Sequence, residues 1–273
     1  MQIERLAADA IPAIGALAEH ALLDPPTVDE IAKAFDAPEQ PAVWLGNPAT
    51  GVIAHVRSGD EGFIRFLAVA PDARGRGIGR ALVARAEAEL HDGGARRVST
   101  GADAPHYLWP GVDTRELAGV CLFERLHYQR VETNFNMDVD LTVLPADPGG
   151  WRAARAADRD AVDAWATTHW PWWRAELLRA LDQDGLILAE DPDGLAAVCA
   201  TEVTRAGLVG PVAVRPNLMG RGVGVAPLLG ALHRLRAAGR NRAEIAWVGP
   251  VVPYARIGAR VGRTFFVYRK ELT

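Results

Sequence analysis

The stretch VAPDARGRGIGRALV, residues 69–83, places a loop rich in arginine and glycine between an apolar strand and a helix. A second stretch, VRPNLMGRGVGVAPLL at residues 214–229, repeats the pattern in the other half of the chain. Six positions match at one fixed offset of 145 residues, namely Val69, Pro71, Gly75, Arg76, Gly77 and Gly79 with Val214, Pro216, Gly220, Arg221, Gly222 and Gly224. This shared register predicts a duplicated unit.

The segment between the two stretches contains the most linker-like residues of the chain, Pro145, Pro148, Gly149 and Gly150. We therefore expect one domain at 1–144 and a second at 151–273, each large enough to bury a core of its own. Each half contains one strand–glycine loop–helix junction among strand-like segments. This pattern predicts mixed α+β units and does not show the regular alternation of a doubly wound parallel sheet.

Composition narrows the class of protein. The net charge is −4 and the sequence pI is about 6.0, which gives no general attraction to nucleic acid. No apolar run approaches the roughly 18 residues of a membrane span, and the N-terminal segment does not resemble a signal peptide. Cys121 and Cys199 form neither a disulfide framework nor a metal-binding spacing, so we expect no metal and a cytoplasmic location.

The glycine loop itself predicts a phosphate site. Glycines let the backbone approach a ligand closely, and amides at the start of a helix face an anion. A Walker loop would need Gly-Lys-Ser/Thr, but Arg80 and Ala81 follow the last glycine. A dinucleotide fingerprint would need a sixth-position glycine, where Arg80 stands. The alternative interpretation is a turn that only connects the strand to the helix and binds no ligand. Two copies of the loop in the same register favour the phosphate site over this alternative.

The first stretch closely resembles the acyl-CoA-binding motif R/Q-x-x-G-x-G/A of the GCN5-related N-acetyltransferases (GNAT), with Arg74, Gly77 and Gly79 at its named positions. The resemblance implies two tandem GNAT-like domains, each a mixed, mostly antiparallel sheet flanked by helices. It also implies that the loop amides bind the CoA pyrophosphate and that the preceding strand pairs with the pantetheine arm. The implied cofactor-binding residues are Leu67, Val69, Arg74, Gly75, Arg76, Gly77, Gly79, Arg80, Gly220, Arg221, Gly222 and Gly224.

The two loops differ in charge. Met219 and Val225 stand in the second stretch where the first has Arg74 and Arg80. We therefore expect CoA to bind the first half more tightly than the second.

The family often uses a tyrosine, in a pattern such as A-x-x-x-Y-x-x-x-G-F, to protonate the leaving thiolate. The first half reads CLFERLHY, with Phe123 at the tyrosine position, and a phenyl ring donates no proton. The second half reads PYARIGA, in which Tyr254 and Gly258 match the pattern. Tyr254 is thus the candidate catalytic acid, with a packed core tyrosine as the alternative. If the first half is catalytic, His106 and Tyr107 are the candidates.

Other residues have weaker indications. Glu61 and Glu202 are candidate bases, although solvated surface carboxylates are the better interpretation of both. Three tryptophans in THWPWWRAE, residues 168–176, form either an aromatic wall for the acceptor or a packing element. Trp109 has the same two interpretations.

We conclude from the resemblance that the chain is an acyl-CoA-dependent N-acyltransferase, with acetyl-CoA as cosubstrate. Its expected acceptor is a primary amine on a small molecule or a protein. The alternative is a CoA-binding sensor or scaffold protein without catalysis, because each half departs from the motif at a different place.

Overall fold

The computed structural model describes residues 3–35 and 41–272, which form two compact units. Unit 1 comprises Met1–Asn134 and Thr264–Thr273, and unit 2 comprises Phe135–Arg263. The strands are β1 Glu4–Arg5, β2 Val43–Asn47, β3 Gly51–Ser58, β4 Glu61–Val69, β5 Arg97–Thr100, β6 Val112–Asp113, β7 Gln129–Asp140, β8 Arg152–Ala153, β9 Leu186–Asp191, β10 Gly194–Thr201, β11 Leu208–Val214, β12 Arg242–Ile245 and β13 Arg260–Glu271. The helices are α1 Ile11–Ala21, α2 Val28–Phe35, α3 Ile78–Asp92, α4 Leu117–Arg125, α5 Arg159–His169, α6 Arg174–Asp182, α7 Val225–Ala237 and α8 Val251–Arg256.

The sheet of unit 1 has the order β1-β2-β3-β4-β5-β13, with β6 also paired to β13. Its pairs are antiparallel apart from β4 and β5, which run parallel. Helices α1 and α2 cover one face around Ile14, Trp44 and Phe66. Helices α3 and α4 cover the other face around Leu82 and Phe123.

The sheet of unit 2 has the same design, in the order β8-β9-β10-β11-β12-β7. Its pairs are antiparallel apart from β11 and β12. Helices α5 and α6 cover one face around Val162 and Leu177, and α7 and α8 cover the other around Leu232 and Tyr254. The predicted fold class, tandem mixed sheets flanked by helices, is confirmed.

The closing strand of each unit comes from the other half of the sequence. In unit 1 the C-terminal part of β13 pairs with β5, with Lys270 opposite Val98. In unit 2 the last residues of β7 pair with β12, with Val139 opposite Ala243. The domain limits 1–144 and 151–273, which follow chain order, remain a proposal.

Helix α2 was not among the sequence-based predictions, although a local signal for it was present. Helix α2 begins at a capping box in which Thr27 and Glu30 exchange hydrogen bonds, Thr27 N to Glu30 Oε2 at 2.9 Å and Glu30 N to Thr27 Oγ1 at 3.2 Å. Helix α6 occupies the matching place in unit 2 and follows the tryptophan-rich segment. The capping box was therefore a local signal that could have revealed α2.

Candidate active site

A cavity of about 380 Å³ opens in unit 1 where β4 and β5 diverge. Their parallel pairing ends with Ile64 opposite Thr100, followed by a hydrogen bond from Gly101 N to Ile64 O at 2.8 Å. Beyond that point β4 continues to Val69 and pairs only with β3. The cavity therefore lies at a gap in the sheet, where one edge of β4 has no neighbouring strand among the described residues.

The exposed edge of β4 directs backbone groups into this gap. Ala70 N donates to Thr50 O at 3.0 Å, on the β3 side. Because successive residues of a strand point their backbone groups in opposite directions, Leu67 and Val69 point theirs away from β3. Both residues line the cavity. Their geometry suits the predicted pairing with an extended, amide-bearing arm.

The glycine loop closes one end of the cavity. Gly75 and Gly77 have φ angles of +76° and +80°, and α3 begins at the next residue, Ile78. A Cβ at either glycine would meet no atom within 4 Å, so the backbone conformation, not space, requires glycine there. The first amides of α3 have no partner inside the helix, and the helix dipole favours an anion at this end. The loop therefore suits a phosphate group.

The three arginines of the loop have different environments. Arg80 is exposed and lines the cavity. Arg74 also lines it, but its guanidinium donates to Val69 O at 3.2 Å and to Ala21 O at 2.7 Å. Arg76 is exposed and does not line the cavity. Arg74 thus ties the end of β4 to the end of α1, and Arg80 is the better placed of the three for phosphate.

The second glycine loop has the same glycine φ angles as the first, but more of its backbone amides donate hydrogen bonds within the loop. Gly220 and Gly222 have φ angles of +77° and +80°. Arg221 N donates to Leu218 O at 3.3 Å, and Val225 N donates to Gly222 O at 3.1 Å. These two amides are occupied within the loop, so fewer remain for an anion than in unit 1.

Helix α7 also begins two residues later than the matching helix α3 would predict. Pro227 has no N–H to donate to residue 223, so the helix starts at Val225 instead. Gly224, the last glycine of the second motif, accordingly lies just before the helix, where Gly79 lies inside α3. Met219, in the place of Arg74, is 57% exposed.

A tryptophan replaces the Arg74 contact in unit 2. Arg215 N donates to Ala196 O at 2.8 Å, so Val214 points its backbone groups into the gap beside β11, as Val69 does in unit 1. The indole Nε1 of Trp170 donates to Val214 O at 3.0 Å. Trp170 also stacks on Trp173, with ring centroids 4.8 Å apart, while Trp172 is 64% exposed. We call the contacts of Arg74 and Trp170 the strand-end latches.

Part of the first half of the chain matches a known family model, and the whole chain matches solved structures. Residues 19–108, which include the cavity-lining strand and the first loop, match the family model of the acetyltransferase (GNAT) family. Among solved structures, the chain aligns over 100% of its length with 98% of a tandem GNAT protein from the clavulanic acid biosynthesis pathway, at 17% identity and a TM-score of 0.72. The chain is a tandem GNAT-fold protein.

Two further structures share this fold. A GCN5-related N-acetyltransferase from Sphaerobacter thermophilus matches at 19% identity and a TM-score of 0.74, over 99% of this chain and 95% of that one. A GCN5-related glucosamine N-acetyltransferase region of a fungal multi-domain GH3 β-N-acetylglucosaminidase matches at 18% identity and a TM-score of 0.80. That match covers 98% of this chain but 38% of the fungal chain. No significant match occurs among curated protein sequences.

Tyr254 lies on α8, outside the unit 1 cavity. Its side chain is 8% exposed and belongs to the core of unit 2. Burial, followed by the nearby Cys199, raises the pKa of Tyr254 to about 12. Its role as the catalytic acid stays a prediction.

The matching position of unit 1, Phe123, does line the cavity. Its ring packs edge-on against Tyr128 at 5.1 Å and stacks on Tyr268 at 5.8 Å between centroids. The hydroxyl of Tyr128 donates to Glu87 at 2.8 Å. Phe123 is therefore the member of this aromatic cluster that lines the cavity.

The remaining sequence candidates lie elsewhere. His106 and Tyr107 are buried and do not line the cavity. Glu61 accepts a hydrogen bond from Ser99 Oγ at 2.8 Å and pairs with two arginines. Glu202 accepts from Gly207 N and pairs with Arg240 at 2.5 Å. Both carboxylates thus have structural partners.

Sequence reasoning missed a buried ion pair at the cavity. Arg65 is the extra residue of a β-bulge in β4 and turns toward α2, where its Nη1 donates to Ala34 O at 3.4 Å. Its Nε donates to Asp103 Oδ2 at 2.7 Å, with both side chains buried. Burial raises the pKa of Asp103, and Arg65 opposes that rise. The signal was visible as a lone arginine inside the apolar run GFIRFLAVA.

Two further features concern the described residues, 3–35 and 41–272. No helix among them is long and apolar enough to cross a membrane. They contain no group of three or more His, Cys, Asp or Glu side chains arranged to hold a metal ion.

Proposed function

We propose that this protein is an acyl-CoA-dependent N-acyltransferase that transfers an acetyl group from acetyl-CoA to a primary amine, with the unit 1 cavity as its active site. The observation that carries the proposal is that this cavity is lined from both faces of the sheet. Ile64 and Leu122 belong to the α3/α4 face, whereas Phe66 and Trp109 belong to the α1/α2 face. A thioester and an amine could therefore meet through the gap beside β4.

The residues present suit each part of the cosubstrate. The loop amides and Arg80 would hold the pyrophosphate, and the backbone of Leu67 and Val69 would align the pantetheine arm. When bound, acetyl-CoA supplies an activated thioester carbonyl. The apolar walls, including Phe123, would exclude water and orient the acceptor amine toward that carbonyl. Both cysteines are free thiols, which is consistent with the proposed cytoplasmic location.

Phe123 favours a second candidate, a CoA-binding protein without catalysis. The side chain at the motif's tyrosine position cannot protonate a leaving thiolate, so the unit 1 cavity could bind acetyl-CoA without turning it over. Turnover separates the two candidates.

The test uses the full chain with acetyl-CoA and a panel of primary amines, including small amines and lysine-containing peptides. Amine-dependent release of free thiol, with acetylated amine detected by mass spectrometry, supports the proposal. Acetyl-CoA binding without release above the amine-free rate supports the second candidate. Absence of acetyl-CoA binding overturns both.

A further inference from the structure

Thr100 brings a hydroxyl group to the unit 1 cavity at the point where β4 and β5 separate. It is the last residue of β5, lies opposite Ile64 and is 2% exposed. Its Oγ1 accepts a hydrogen bond from Tyr268 N at 3.0 Å. Within residues 3–35 and 41–272 this hydroxyl has no acceptor for its own proton, and no other Ser, Thr or Tyr lines the cavity. Thr100 is therefore available to donate one hydrogen bond to a ligand.

The matching residue of unit 2 has no hydroxyl. Ile245 is the last residue of β12 and pairs with Val209 where β11 and β12 separate. It is as buried as Thr100. An apolar side chain therefore fits this strand end, and the fold alone does not require a hydroxyl there. A buried polar group at a place that accepts an apolar one points to a role for Thr100 in the cavity.

The path proposed for acetyl-CoA leads its thioester toward Thr100. The loop that would hold the pyrophosphate follows β4, so the pantetheine arm would extend from Val69 back along β4 toward Ile64. An extended pantetheine arm has about eleven chain atoms between phosphate oxygen and sulfur, which equals about four strand residues or about 13 Å. Arg65 is four residues before Val69 and adjoins the Ile64–Thr100 pair. The arm is thus the right length to bring the sulfur to the end of the gap.

We infer that Thr100 is a catalytic residue whose hydroxyl donates a hydrogen bond to the thioester carbonyl oxygen of acetyl-CoA. This inference rests on the proposed function and adds a residue to the same site. When the amine nitrogen bonds to the carbonyl carbon, the C=O electron pair moves onto oxygen, and the donated hydrogen bond stabilises that charge. When the C–S bond breaks, the pair re-forms C=O and the sulfur leaves as a thiolate. Thr100 keeps its proton, and the proton lost by the amine reaches the thiolate through solvent.

The first measurement does not depend on turnover. It is the difference infrared spectrum of the full chain with acetyl-CoA that is isotope-labelled at the thioester carbonyl. A hydrogen bond to the carbonyl oxygen weakens the C=O bond, so the bound carbonyl should absorb at a lower frequency in wild type than in Thr100→Val. Valine keeps the branched shape and removes only the hydroxyl. Thr100→Ser keeps the hydroxyl and should retain the wild-type frequency.

The second measurement is steady-state thiol release with the best amine of the panel. Thr100→Val should lower kcat about 10²–10³-fold, the range for loss of one donor to a developing oxyanion. Acetyl-CoA affinity, measured by calorimetry, should fall by less than about 10-fold, because the hydrogen bond is stronger in the transition state than in the bound substrate. Thr100→Ser should restore most of kcat.

Ser99→Ala is the matched control. Ser99 lies on the same strand and its Oγ donates to Glu61 at 2.8 Å, but it does not line the cavity, so its loss should leave the carbonyl frequency and kcat unchanged. If valine prevents folding, Thr100→Ala gives the same comparison. Equal carbonyl frequencies with and without the Thr100 hydroxyl, or a Thr100→Ser variant that behaves like Thr100→Val, would overturn the inference. A hydroxyl-dependent frequency without thiol release for any amine would instead overturn the proposed acyltransferase function.

Discussion

Single side chains differ in how they are placed around the first glycine loop, where we propose that a phosphate binds. Arg76 and Arg80 differ by only four residues, yet Arg80 lines the cavity and Arg76 does not. This difference arises because Arg80 lies on the first turn of α3, whereas Arg76 precedes the helix. The charges of the motif are therefore not equivalent.

Replacement of these two arginines tests that difference. We expect Arg80→Ala to weaken acetyl-CoA binding about 10- to 100-fold, the range for a charge-assisted contact. Arg76→Ala, the matched control, should change affinity by less than about threefold because its charge is solvated and screened. Calorimetric titration of both variants measures this. A larger loss for Arg76→Ala than for Arg80→Ala would contradict the placement of the phosphate.

A second question about a single side chain is whether Tyr254 protonates the leaving thiolate. A phenol whose pKa is about 12 is a weak donor toward a thiolate, because an ordinary thiol titrates near 8.5. If unit 1 carries the chemistry, Tyr254→Phe should leave turnover within about twofold of wild type, since the ring and its packing are kept. Steady-state thiol release measures this. A loss of about 10²–10⁴-fold with unchanged melting would instead establish Tyr254 as the acid.

At the scale of helices and strands, the two strand-end latches are hydrogen bonds to the last carbonyl of the strand before each glycine loop, and a different residue donates in each unit. Arg74 joins β4 to the end of α1 in unit 1, and Trp170, at the end of α5, holds the equivalent carbonyl of β11 in unit 2. Since the Val214 carbonyl already has a donor, position 219 needs no arginine, and Met219 is free to face solvent.

The latch predicts the behaviour of substitutions at Arg74. Lysine keeps the charge but cannot bridge two carbonyls with a planar fork, and methionine removes both. If the latch is the main role, Arg74→Lys and Arg74→Met should lose acetyl-CoA affinity to a similar extent, about 10-fold. A lysine variant with wild-type affinity and a methionine variant without it would show that charge alone matters.

Helix α6 carries a buried carboxyl that should make stability depend on pH. Glu176 is 4% exposed, and burial raises its pKa from 4.5 to about 8. Because the folded state binds this proton more tightly than the unfolded state, the folded protein is favoured at low pH. That advantage is lost as the pH rises from about 4.5 through about 8.

Glu176→Gln removes this titration. We expect the variant to gain stability relative to wild type by a few kcal/mol, about 1.4 for each pKa unit crossed, between pH 5 and pH 8.5. Denaturant unfolding at both pH values gives the difference. Glu271→Gln, at an exposed position of β13, is the control and should show no such change. Parallel pH profiles for wild type and Glu176→Gln would refute the prediction.

At the scale of the whole molecule, the two units keep the same sheet order, and we propose that their glycine loops are unequal as anion sites. Their loop glycines share φ angles within about 1°, yet two amides of the second loop are occupied internally. We therefore expect the full chain to bind about one molecule of acetyl-CoA at micromolar concentrations.

Gly77 and Gly222 provide a matched pair for this test, since both have a φ of +80°. Alanine at either position should cost a similar amount of stability, about 1–2 kcal/mol, because an L-residue resists this conformation. Only Gly77→Ala should weaken acetyl-CoA binding, by at least about 10-fold, because it distorts the loop amides of unit 1. Calorimetric stoichiometry near two, or a loss confined to Gly222→Ala, would place the main site in unit 2.

The sequence by itself determined the duplicated strand–loop–helix junctions. Glycine adopts a positive φ without steric cost, so the loop turns at Gly75 and Gly77, and at Gly220 and Gly222, could be placed from the sequence. The tertiary structure decided where other groups meet. A closing strand has the same pattern whichever sheet it joins, so the pairing of β13 with β5 depends on contacts between residues about 170 positions apart. The destinations of Arg65, Arg74 and Trp170 were likewise set by distant partners, because a long side chain is positioned by what packs around it and not by its local sequence.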